Sequence, residues 1–247
     1  MLSKPKIIEK WQKRNRFGRP GTTLITKKIA IHYTGQADVE GWRTVSYFNN
    51  VVANGYKVNG KYVYASSHYV IDLDGTIFQL IPTSEQCYAT NSANKYAIAI
   101  EVATTGEDNH YTDETYKSMV HLCAWLCQYK GLDCKTDIIT HTDVVGKAYK
   151  LCPIYMVKNP HKMTQFKTDC HNLKSGKITL DNIINCTSPD YIKNSSTSPL
   201  PKMIKVKKDV NYRKYPDFKT SSIAGVAKAG DIFTIVDLVE RNDTNMY

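Results

Sequence analysis

Three short apolar runs end in a chemically active residue, and they constrain the fold more than any other feature of the chain. K-K-I-A-I-H ends at His32, Y-A-I-A-I-E ends at Glu101 and D-I-I-T-H ends at His141. In the first two runs isoleucine alternates with a smaller residue, so a strand places isoleucine on one face and alanine with the terminal polar group on the other. The pattern predicts strands that pack on one side and leave room for a site on the other.

Helical patterns alternate with these strands. One begins at a cap, Thr112 or Asp113, and ends before Gly131, and another begins at Asn159-Pro160. The run S-S-H-Y-V-I-D-L-D-G-T-I-F-Q-L-I-P predicts a hairpin that turns at Asp74-Gly75. We therefore expect an α/β (α+β) domain with a central mixed β-sheet flanked by helices.

The composition changes after residue 173. We expect a catalytic domain over residues 1–173, with its core at about 20–173. Residues 174–202 are rich in Ser, Thr, Asn, Lys and Pro, which predicts a linker. Short β-rich runs follow over 203–247 and predict a small all-β unit.

The positive charge is spread along the chain. The formal net charge is +10, of which residues 1–173 carry +6 and residues 174–247 carry +4. This distribution argues against a nucleic-acid tail. A diffuse basic surface favours encounters with any polyanion, whether nucleic acid, membrane headgroups or the anionic polymers of bacterial cell walls, and it is equally typical of a basic surface that only keeps a protein in solution. No stretch approaches the ~20 apolar residues of a membrane span. The charged N-terminal segment has no apolar core after it, so we expect neither a secretory signal nor membrane insertion.

The cysteines do not read as a disulfide framework. There are seven, an odd number, and no C-x-x-C pair occurs among them. Cys123 and Cys127 lie four residues apart among apolar neighbours, which indicates buried thiols on one helix face. The sequence thus favours synthesis in a reducing cytoplasm.

Two imidazoles and one thiol form a candidate metal site. The segment H-T-D-V-V-G-K-A-Y-K-L-C-P begins at His141 and ends on Cys152 and Pro153, and His32 lies far upstream. This donor set suits a soft-to-borderline cation such as zinc, and three protein ligands leave one coordination position for water. We therefore predict a metal-dependent hydrolase.

Three further residues complete the predicted site. Glu101, at the end of a strand face of small residues, is a candidate general base. Lys150 precedes the thiol by two residues and is a candidate partner for a developing oxyanion. Asp143 is a candidate partner that orients a ligand imidazole.

Each of these residues also has an ordinary structural interpretation. A histidine at a strand end is more often a satisfied surface or core residue than a ligand, and a single cysteine is usually a small buried apolar group. Glu101 could be an exposed strand end, and Lys150 could be a solvated side chain. Four such residues in this order favour a site over coincidence.

The order of the motifs resembles a known family. I-H-Y-T, S-S-H-Y-V-I-D-x-D-G-x-I-x-Q-x-I-P, A-I-A-I-E and H-x-D-x-x-G-K-x-x-K-x-C-P resemble the type-2 N-acetylmuramoyl-L-alanine amidases, which include phage endolysins, bacterial autolysins and peptidoglycan-recognition proteins. The resemblance covers most of the chain. It implies a zinc ion held by two histidines and a cysteine, which match His32, His141 and Cys152, a catalytic glutamate at Glu101 and a lysine at Lys150.

The chain departs from the family pattern at two places. Some relatives carry a catalytic tyrosine before the hairpin histidine, whereas this chain has Ser67 before His68, which resembles the glutamate-using subgroup. Many members read A-W-H-A where this chain reads C-Y-A-T over residues 87–90, so a substrate-contacting histidine is missing. Ser67, His68 and Asn91 are predicted to line the substrate cleft.

A second resemblance concerns the C-terminal run. V-N-Y-R-K-Y-P-D and I-A-G-V-A-K-A-G-D-I-F-T-I-V are similar to the opening of a bacterial SH3-like domain that binds cell walls. The run is shorter than such domains usually are. We expect an incomplete β unit that is poorly ordered or does not bind walls as it stands.

These inferences predict a zinc-dependent enzyme that hydrolyses the amide bond between N-acetylmuramic acid and L-alanine. Its partner would be bacterial peptidoglycan, with no nucleic acid, and it would be a monomer. As a phage or prophage endolysin, it would be made in the cytoplasm and reach the wall with a holin-type permeabilising partner. Two alternatives remain open: a non-catalytic peptidoglycan-binding protein on the same scaffold, and a thiol hydrolase with Cys152 as nucleophile.

Overall fold

The computed structural model describes residues 1–183 and the backbone of six short strands between residues 203 and 246. The chain divides into two units, Met1–Ser188 and Pro189–Tyr247. Within the described residues, no helix combines the length and the apolar character needed to cross a membrane.

A mixed six-stranded sheet organises the first unit. Strand β7 lies at its centre and pairs in parallel with β2 on one side and β5 on the other, β2 pairs in parallel with β8, and β5 and β6 form an antiparallel hairpin. A separate small hairpin joins β3 and β4. The strands are β1 (Ile7–Glu9), β2 (Lys28–Ala37), β3 (Lys57–Val58), β4 (Lys61–Tyr62), β5 (Tyr69–Ile71), β6 (Ile77–Gln79), β7 (Ala97–Thr104) and β8 (Ile138–Thr140).

Helices cover the sheet. α1 continues into a π-helical turn at Tyr47–Val51 and a 3-10 turn at Val52–Asn54, and further 3-10 turns lie at Asn91–Lys95 and Leu180–Asn182. The long helix α2 packs against α5. The α-helices are α1 (Gly41–Ser46), α2 (Asp113–Lys130), α3 (His141–Val145), α4 (Ile154–Lys158) and α5 (Pro160–Lys174).

The two faces of β2 and β7 differ in the way that the alternation predicts. The isoleucines of both strands belong to the large core that also contains the inner faces of α2 and α5: Ile29, Ile31, Ile98 and Ile100. On the opposite face Ala30 pairs with Ala99, and His32 pairs with Glu101. The small side chains leave the space into which the two polar groups project.

The predicted boundaries of α2 agree with the structure. The Thr112 hydroxyl accepts a hydrogen bond from the Thr115 N–H at 3.1 Å, which caps the helix N-terminus. Gly131 follows the last turn with φ of 68°, a left-handed conformation that glycine adopts without steric cost. The hairpin turn at Asp74-Gly75 lies between β5 and β6, also as predicted.

Two sequence-based boundaries differ from the structure. The core of the first domain was expected to begin at about residue 20, yet β1 pairs in parallel with β6 at the sheet edge. The linker was expected to begin at residue 174, yet Ile178 and Leu180 pack against the core and Ile183 is buried within it. Residues 174–183 therefore belong to the first unit, and the rest of the predicted linker lies outside the described residues.

The second unit contains short strands where the β-rich runs predict them. They pair antiparallel as β9 with β12, β10 with β11 and β13 with β14. Their bounds are β9 (Met203–Lys205), β10 (Val210–Arg213), β11 (Ile223–Ala227), β12 (Ile232–Thr234), β13 (Val239–Glu240) and β14 (Asn245–Met246). The likeness of this unit to an SH3-like domain stays a prediction.

Candidate active site

Strand β2 delivers the first candidate ligand. His32 is 1% exposed, and its Nε2 lies 2.9 Å from the hydroxyl of Thr90, which is also buried. The hydroxyl fixes the orientation of the ring because it occupies the nitrogen on the far side from the site. Nδ1 of His32 is consequently turned towards Cys152.

Helix α3 delivers the second candidate ligand. Thr140 and Asp143 form a reciprocal cap, in which Thr140 N–H donates to Asp143 Oδ2 at 2.8 Å and Asp143 N–H donates to Thr140 Oγ1 at 3.0 Å. This cap makes His141 the first residue of the helix. Its Nε2 lies 2.7 Å from Asn91 Oδ1, and its buried Nδ1 has no hydrogen-bond partner among the described residues.

The third candidate ligand, Cys152, is held by the loop that follows α3. Its N–H donates to Thr142 Oγ1 at 2.7 Å, and its carbonyl accepts from the Thr142 N–H at 3.1 Å. The thiol is 1% exposed, and Sγ lies 3.6 Å from His32 Nδ1. These contacts tie the cysteine to the helix that carries His141.

The three side chains fit a tetrahedral metal ion. One donor atom from each of His32, His141 and Cys152 lies within 4.8 Å of the other two. In tetrahedral zinc geometry, bond lengths of about 2.0–2.3 Å place donor atoms about 3.5 Å apart, close to the observed sulfur–nitrogen distance. A buried imidazole nitrogen that lacks a partner is costly unless something occupies it, and a cation satisfies it. The residues present therefore fit the zinc ion that the sequence implies.

The electrostatics keep both imidazoles neutral, which is the form that binds a metal. Burial lowers the pKa of His32 well below its usual value, and the neighbouring His141 imidazole and Lys150 ammonium oppose a second positive charge and lower it further. Burial also lowers the pKa of His141 to about 4, with the Lys150 ammonium adding to the effect. Neither ring carries a proton that a cation would have to displace near neutral pH.

A cleft of about 350 Å³ opens beside the ligands. Glu101 and Lys150 lie in its wall together with His32. Glu101 is partly exposed, but its Oε2 is buried and finds no hydrogen-bond donor within residues 1–183. Burial raises the pKa of this carboxyl to about 8, against the opposing effect of the Lys150 ammonium.

Aromatic side chains supply much of the remaining cleft wall. Tyr33, Tyr47, Tyr64 and Tyr88 all line it, and the rings of Tyr64 and Tyr88 meet edge to face with centroids 5.8 Å apart. Tyrosine rings offer apolar faces and a hydroxyl at the rim. The cleft can therefore hold a ligand with both apolar and polar surfaces.

The structure brings five of the predicted site residues together: His32, Glu101, His141, Lys150 and Cys152. Others have different positions from those predicted. Asp143 contacts the backbone of Thr140 through the helix cap and does not orient an imidazole. Asn91, predicted in the cleft, instead contacts the ring of His141, and Thr90, which the sequence analysis missed, contacts His32.

Ser67 and His68 are buried and do not reach the cleft, contrary to the prediction. The Ser67 hydroxyl donates to the carbonyl of Tyr69 at 2.8 Å. His68 Nδ1 accepts from the Ala99 N–H at 3.0 Å, and Nε2 donates to the Glu85 carbonyl at 2.8 Å. The imidazole is a structural link between the hairpin and β7.

The burial of His68 predicts a loss of stability in acid. Burial lowers its pKa from 6.5 to about 4, so between these values the unfolded chain binds a proton that the folded chain excludes. The neutral ring contributes fully to stability above the pKa of the unfolded state. This contribution is lost as the pH falls towards the pKa of the folded state, and the loss in the free energy of unfolding reaches about 2 kcal/mol at about pH 5. The measurement compares the free energies of unfolding of the metal-free protein and a His68→Gln variant near neutral pH and at that pH. Equal pH dependence in the two proteins would contradict the prediction.

Asn91 is predicted to tune metal affinity through His141. Asn91→Ala removes the acceptor that orients the ring and should weaken zinc binding by about 10–100-fold, measured by competition with a chromogenic chelator. Asn91→Asp is the matched control because it keeps an acceptor and tolerates the left-handed backbone, φ of 50°. Unchanged affinity in Asn91→Ala, or an equal loss in both variants, would rule out the orienting role.

A mixed α/β fold that presents two imidazoles, a thiol and a carboxyl group beside a cleft defines a class of protein with a candidate three-ligand metal site. Residues 22–154 match the sequence model of a known family. The chain belongs to the N-acetylmuramoyl-L-alanine amidase family.

Several known proteins resemble the chain. N-acetylmuramoyl-L-alanine amidase BlyA of Bacillus subtilis (strain 168) is 26% identical over 256 residues, which cover 94% of this chain and 65% of that protein. The chain thus spans slightly less than two thirds of that relative. The solved structure of PlyL is 20% identical with a TM-score of 0.54, over 70% of this chain and 100% of that one. The catalytic domain of XlyA is 19% identical with a TM-score of 0.53, and the match covers 67% of this chain and 99% of that domain. These likenesses confirm the predicted fold class.

Proposed function

We propose that the protein is a zinc-dependent amidase that cleaves the bond between the lactyl group of N-acetylmuramic acid and L-alanine in bacterial peptidoglycan. The observation that carries the proposal is the convergence of His32 Nδ1, Cys152 Sγ and the His141 ring beside Glu101, in a chain of this family. BlyA, which carries the same activity in its name, supports the choice of substrate.

Zinc, when bound, supplies a Lewis acid that polarises the scissile carbonyl and lowers the pKa of water at the site. Glu101 takes a proton from the attacking water and passes it to the leaving amine. Its free oxygen and raised pKa suit a group that must accept and then release a proton. The Lys150 ammonium lies in the same cleft wall and stabilises the developing oxyanion.

The cleft suits a substrate that is part sugar and part peptide. Tyrosine rings stack on the apolar faces of sugars, and their hydroxyls pair with polar groups at the rim. The net positive charge of the chain favours approach to an anionic wall. As an endolysin-like enzyme, the protein would act on the wall as a monomer after a holin-type partner has permeabilised the membrane.

The test is mass analysis of fragments from purified walls digested by the protein. The proposal predicts new N-terminal alanine in the released peptides, whereas new reducing sugar ends would mean a glycosidase. Turbidity should stop falling when a chelator removes zinc and resume when zinc is returned. Wall clearing that survives complete zinc removal would overturn the metal-dependent mechanism. Binding without any new chain ends would identify a non-catalytic wall-binding protein.

The alternative of a thiol hydrolase has less support. Cys152 is 1% exposed and does not belong to the described residues that line the cleft, whereas a nucleophile must reach the substrate. Burial and the Glu101 charge raise the pKa of the thiol to about 12, which disfavours a free thiolate. A ligand role accommodates both facts.

A further inference from the structure

A row of aromatic side chains extends from the cleft wall onto the outer surface of the first unit. Tyr88 and Tyr64 belong to the cleft wall. The ring centroid of Tyr64 lies 5.7 Å from that of Phe17, and the Phe17 centroid lies 4.9 Å from that of Tyr62. Tyr64 is 53% exposed and Tyr62 is 39% exposed. These four residues, called the aromatic row below, connect the cleft with the surface beside it.

The backbone of the cleft wall holds the aromatic row in place. The Ala65 N–H donates to the Phe17 carbonyl at 3.1 Å, and the Ser66 hydroxyl donates to the Gly18 carbonyl at 2.6 Å. Ala65 and Ser66 both line the cleft. The Ser66 hydroxyl also accepts from the Tyr88 N–H at 2.9 Å. The turn that carries Phe17 is therefore fixed directly to the cleft wall, and the aromatic row continues the cleft.

Two cationic side chains lie over the outer rings of the row. The Arg16 guanidinium is 4.7 Å from the ring centroid of Phe17 and 5.1 Å from that of Tyr62. The Lys57 ammonium is 4.5 Å from the Tyr62 centroid, and Lys57 lies opposite Tyr62 in the small hairpin of β3 and β4. A ring face attracts a cation without neutralising its charge. The rings thus position both cations beside the cleft.

These two charges have no acidic partner in the part of the chain that the structure describes. Other cations of the N-terminal segment do have one, since Arg14 and Arg19 both form ion pairs with Glu85. Arg16 and Lys57 are exposed, and neither forms an ion pair with a carboxylate of the described residues. Both cations can therefore pair with an anion that arrives from solution.

The proposed reaction creates such an anion on its own substrate. Hydrolysis of the amide bond leaves a carboxylate on the lactyl group of N-acetylmuramic acid and an amine on L-alanine. A muramic acid unit that has been processed carries a negative charge beside its sugar ring, whereas an unprocessed unit carries a neutral amide there. The exposed ring of Tyr64 offers a surface for a sugar, and Arg16 and Lys57 offer charge for the carboxylate.

We propose that the aromatic row, with Arg16 and Lys57, is a glycan subsite that recognises muramic acid units whose lactyl carboxylates have been freed. The inference rests on the proposed function, because amidase action generates these carboxylates. The subsite keeps the enzyme on a strand that it has begun to process, so neighbouring stem peptides are removed in succession. A glycan is the ligand because the row supplies exposed ring surface as well as charge, whereas a phosphate polymer needs charge alone.

The test measures equilibrium binding of the full chain, with zinc present, to peptide-free glycan strands prepared with a different amidase. The matched probe is the same strand after its carboxylates have been converted to methyl amides, which keeps the sugars and removes the charge. The charged strand should bind about 3–10-fold more tightly at low ionic strength, the effect of two exposed ion pairs. The difference should shrink as salt is added. Equal affinity for the two strands would overturn the proposal.

Single substitutions locate the effect. Arg16→Gln and Lys57→Gln should each reduce the preference for the charged strand by about 2–5-fold. The matched control is Lys61→Gln, which removes the same charge from the same hairpin at a position opposite Val58, and it should keep the preference. An equal loss in Lys57→Gln and Lys61→Gln would show a general charge effect and contradict the subsite. Tighter binding of a glycerol-phosphate polymer of equal charge would contradict the choice of a glycan.

This experiment separates the subsite from the amidase activity, because peptide-free strands contain no scissile bond. Failure of the proposed function would appear as walls that release no N-terminal alanine, a result that strand binding does not affect. Failure of the subsite would appear as normal alanine release together with equal binding of the charged and amidated strands.

Discussion

Cys152→Ser is expected to abolish zinc binding and, with it, wall-lysing activity. A serine hydroxyl is a much poorer zinc ligand than a thiolate, and the two imidazoles left behind make an incomplete site. The loss should exceed the ~10–100-fold that removal of an orienting partner costs. Metal content after gel filtration in limiting zinc, together with turbidity clearing, measures both effects.

The matched control is Cys87→Ser, which replaces another buried thiol in the same domain, one whose sulfur contacts His68 and not a candidate metal ligand. It should retain one zinc ion per chain and full activity. The pair of variants also separates the metal-ligand role from the nucleophile role. If Cys152→Ser kept its zinc but lost activity, the thiol would be the nucleophile and the ligand assignment would be wrong.

The part of the site that the sequence could predict lies at the ends of regular elements. Alternation along β2 and β7 assigns His32 and Glu101 to the face of small residues, and pairing of parallel strands then brings them side by side. His141 follows from the same reasoning, since it comes directly after β8. Such residues are predictable because their direction is encoded by local periodicity.

The orienting partners were not predictable in this way. Thr90 and Asn91 reach the two ligand rings from a 3-10 turn and the residue before it, distant in sequence from both histidines. No periodic pattern encodes such a contact. For Asp143 the sequence predicted a contact that the structure does not contain. Its position two residues after His141 suggested that it orients the imidazole, but its carboxylate instead accepts a hydrogen bond from the backbone N–H of Thr140.

Burial explains the other differences. His68 satisfies both ring nitrogens against backbone groups of neighbouring segments, and such long-range satisfaction cannot be read from a hairpin sequence. Residues 174–183 have a polar, linker-like composition, but Ile178, Leu180 and Ile183 reach the core. The contacts of these three apolar side chains, and not the average composition of the segment, therefore determine that it belongs to the first unit.

Glu101→Gln is expected to lower kcat by about 10²–10⁴-fold, the usual contribution of a general base. The substitution keeps the shape of the side chain but removes its ability to accept a proton. Because the amide neither ligates the metal nor alters the hydrophobic core, zinc content and Tm should stay near the wild-type values. Release of N-terminal alanine from purified walls measures kcat, and metal analysis verifies occupancy.

Glu107→Gln is the control for this experiment, since Glu107 is exposed and does not line the cleft among the described residues. It removes the same charge and should leave kcat unchanged. Glu101 lies beside His32 in the sheet register, so a loss of zinc in Glu101→Gln would indicate that the carboxylate supports the ligand rather than the proton transfer. Full activity with zinc bound would exclude Glu101 as the base. Low activity with full zinc occupancy and an unchanged Tm is the outcome that the proton-transfer role of Glu101 predicts.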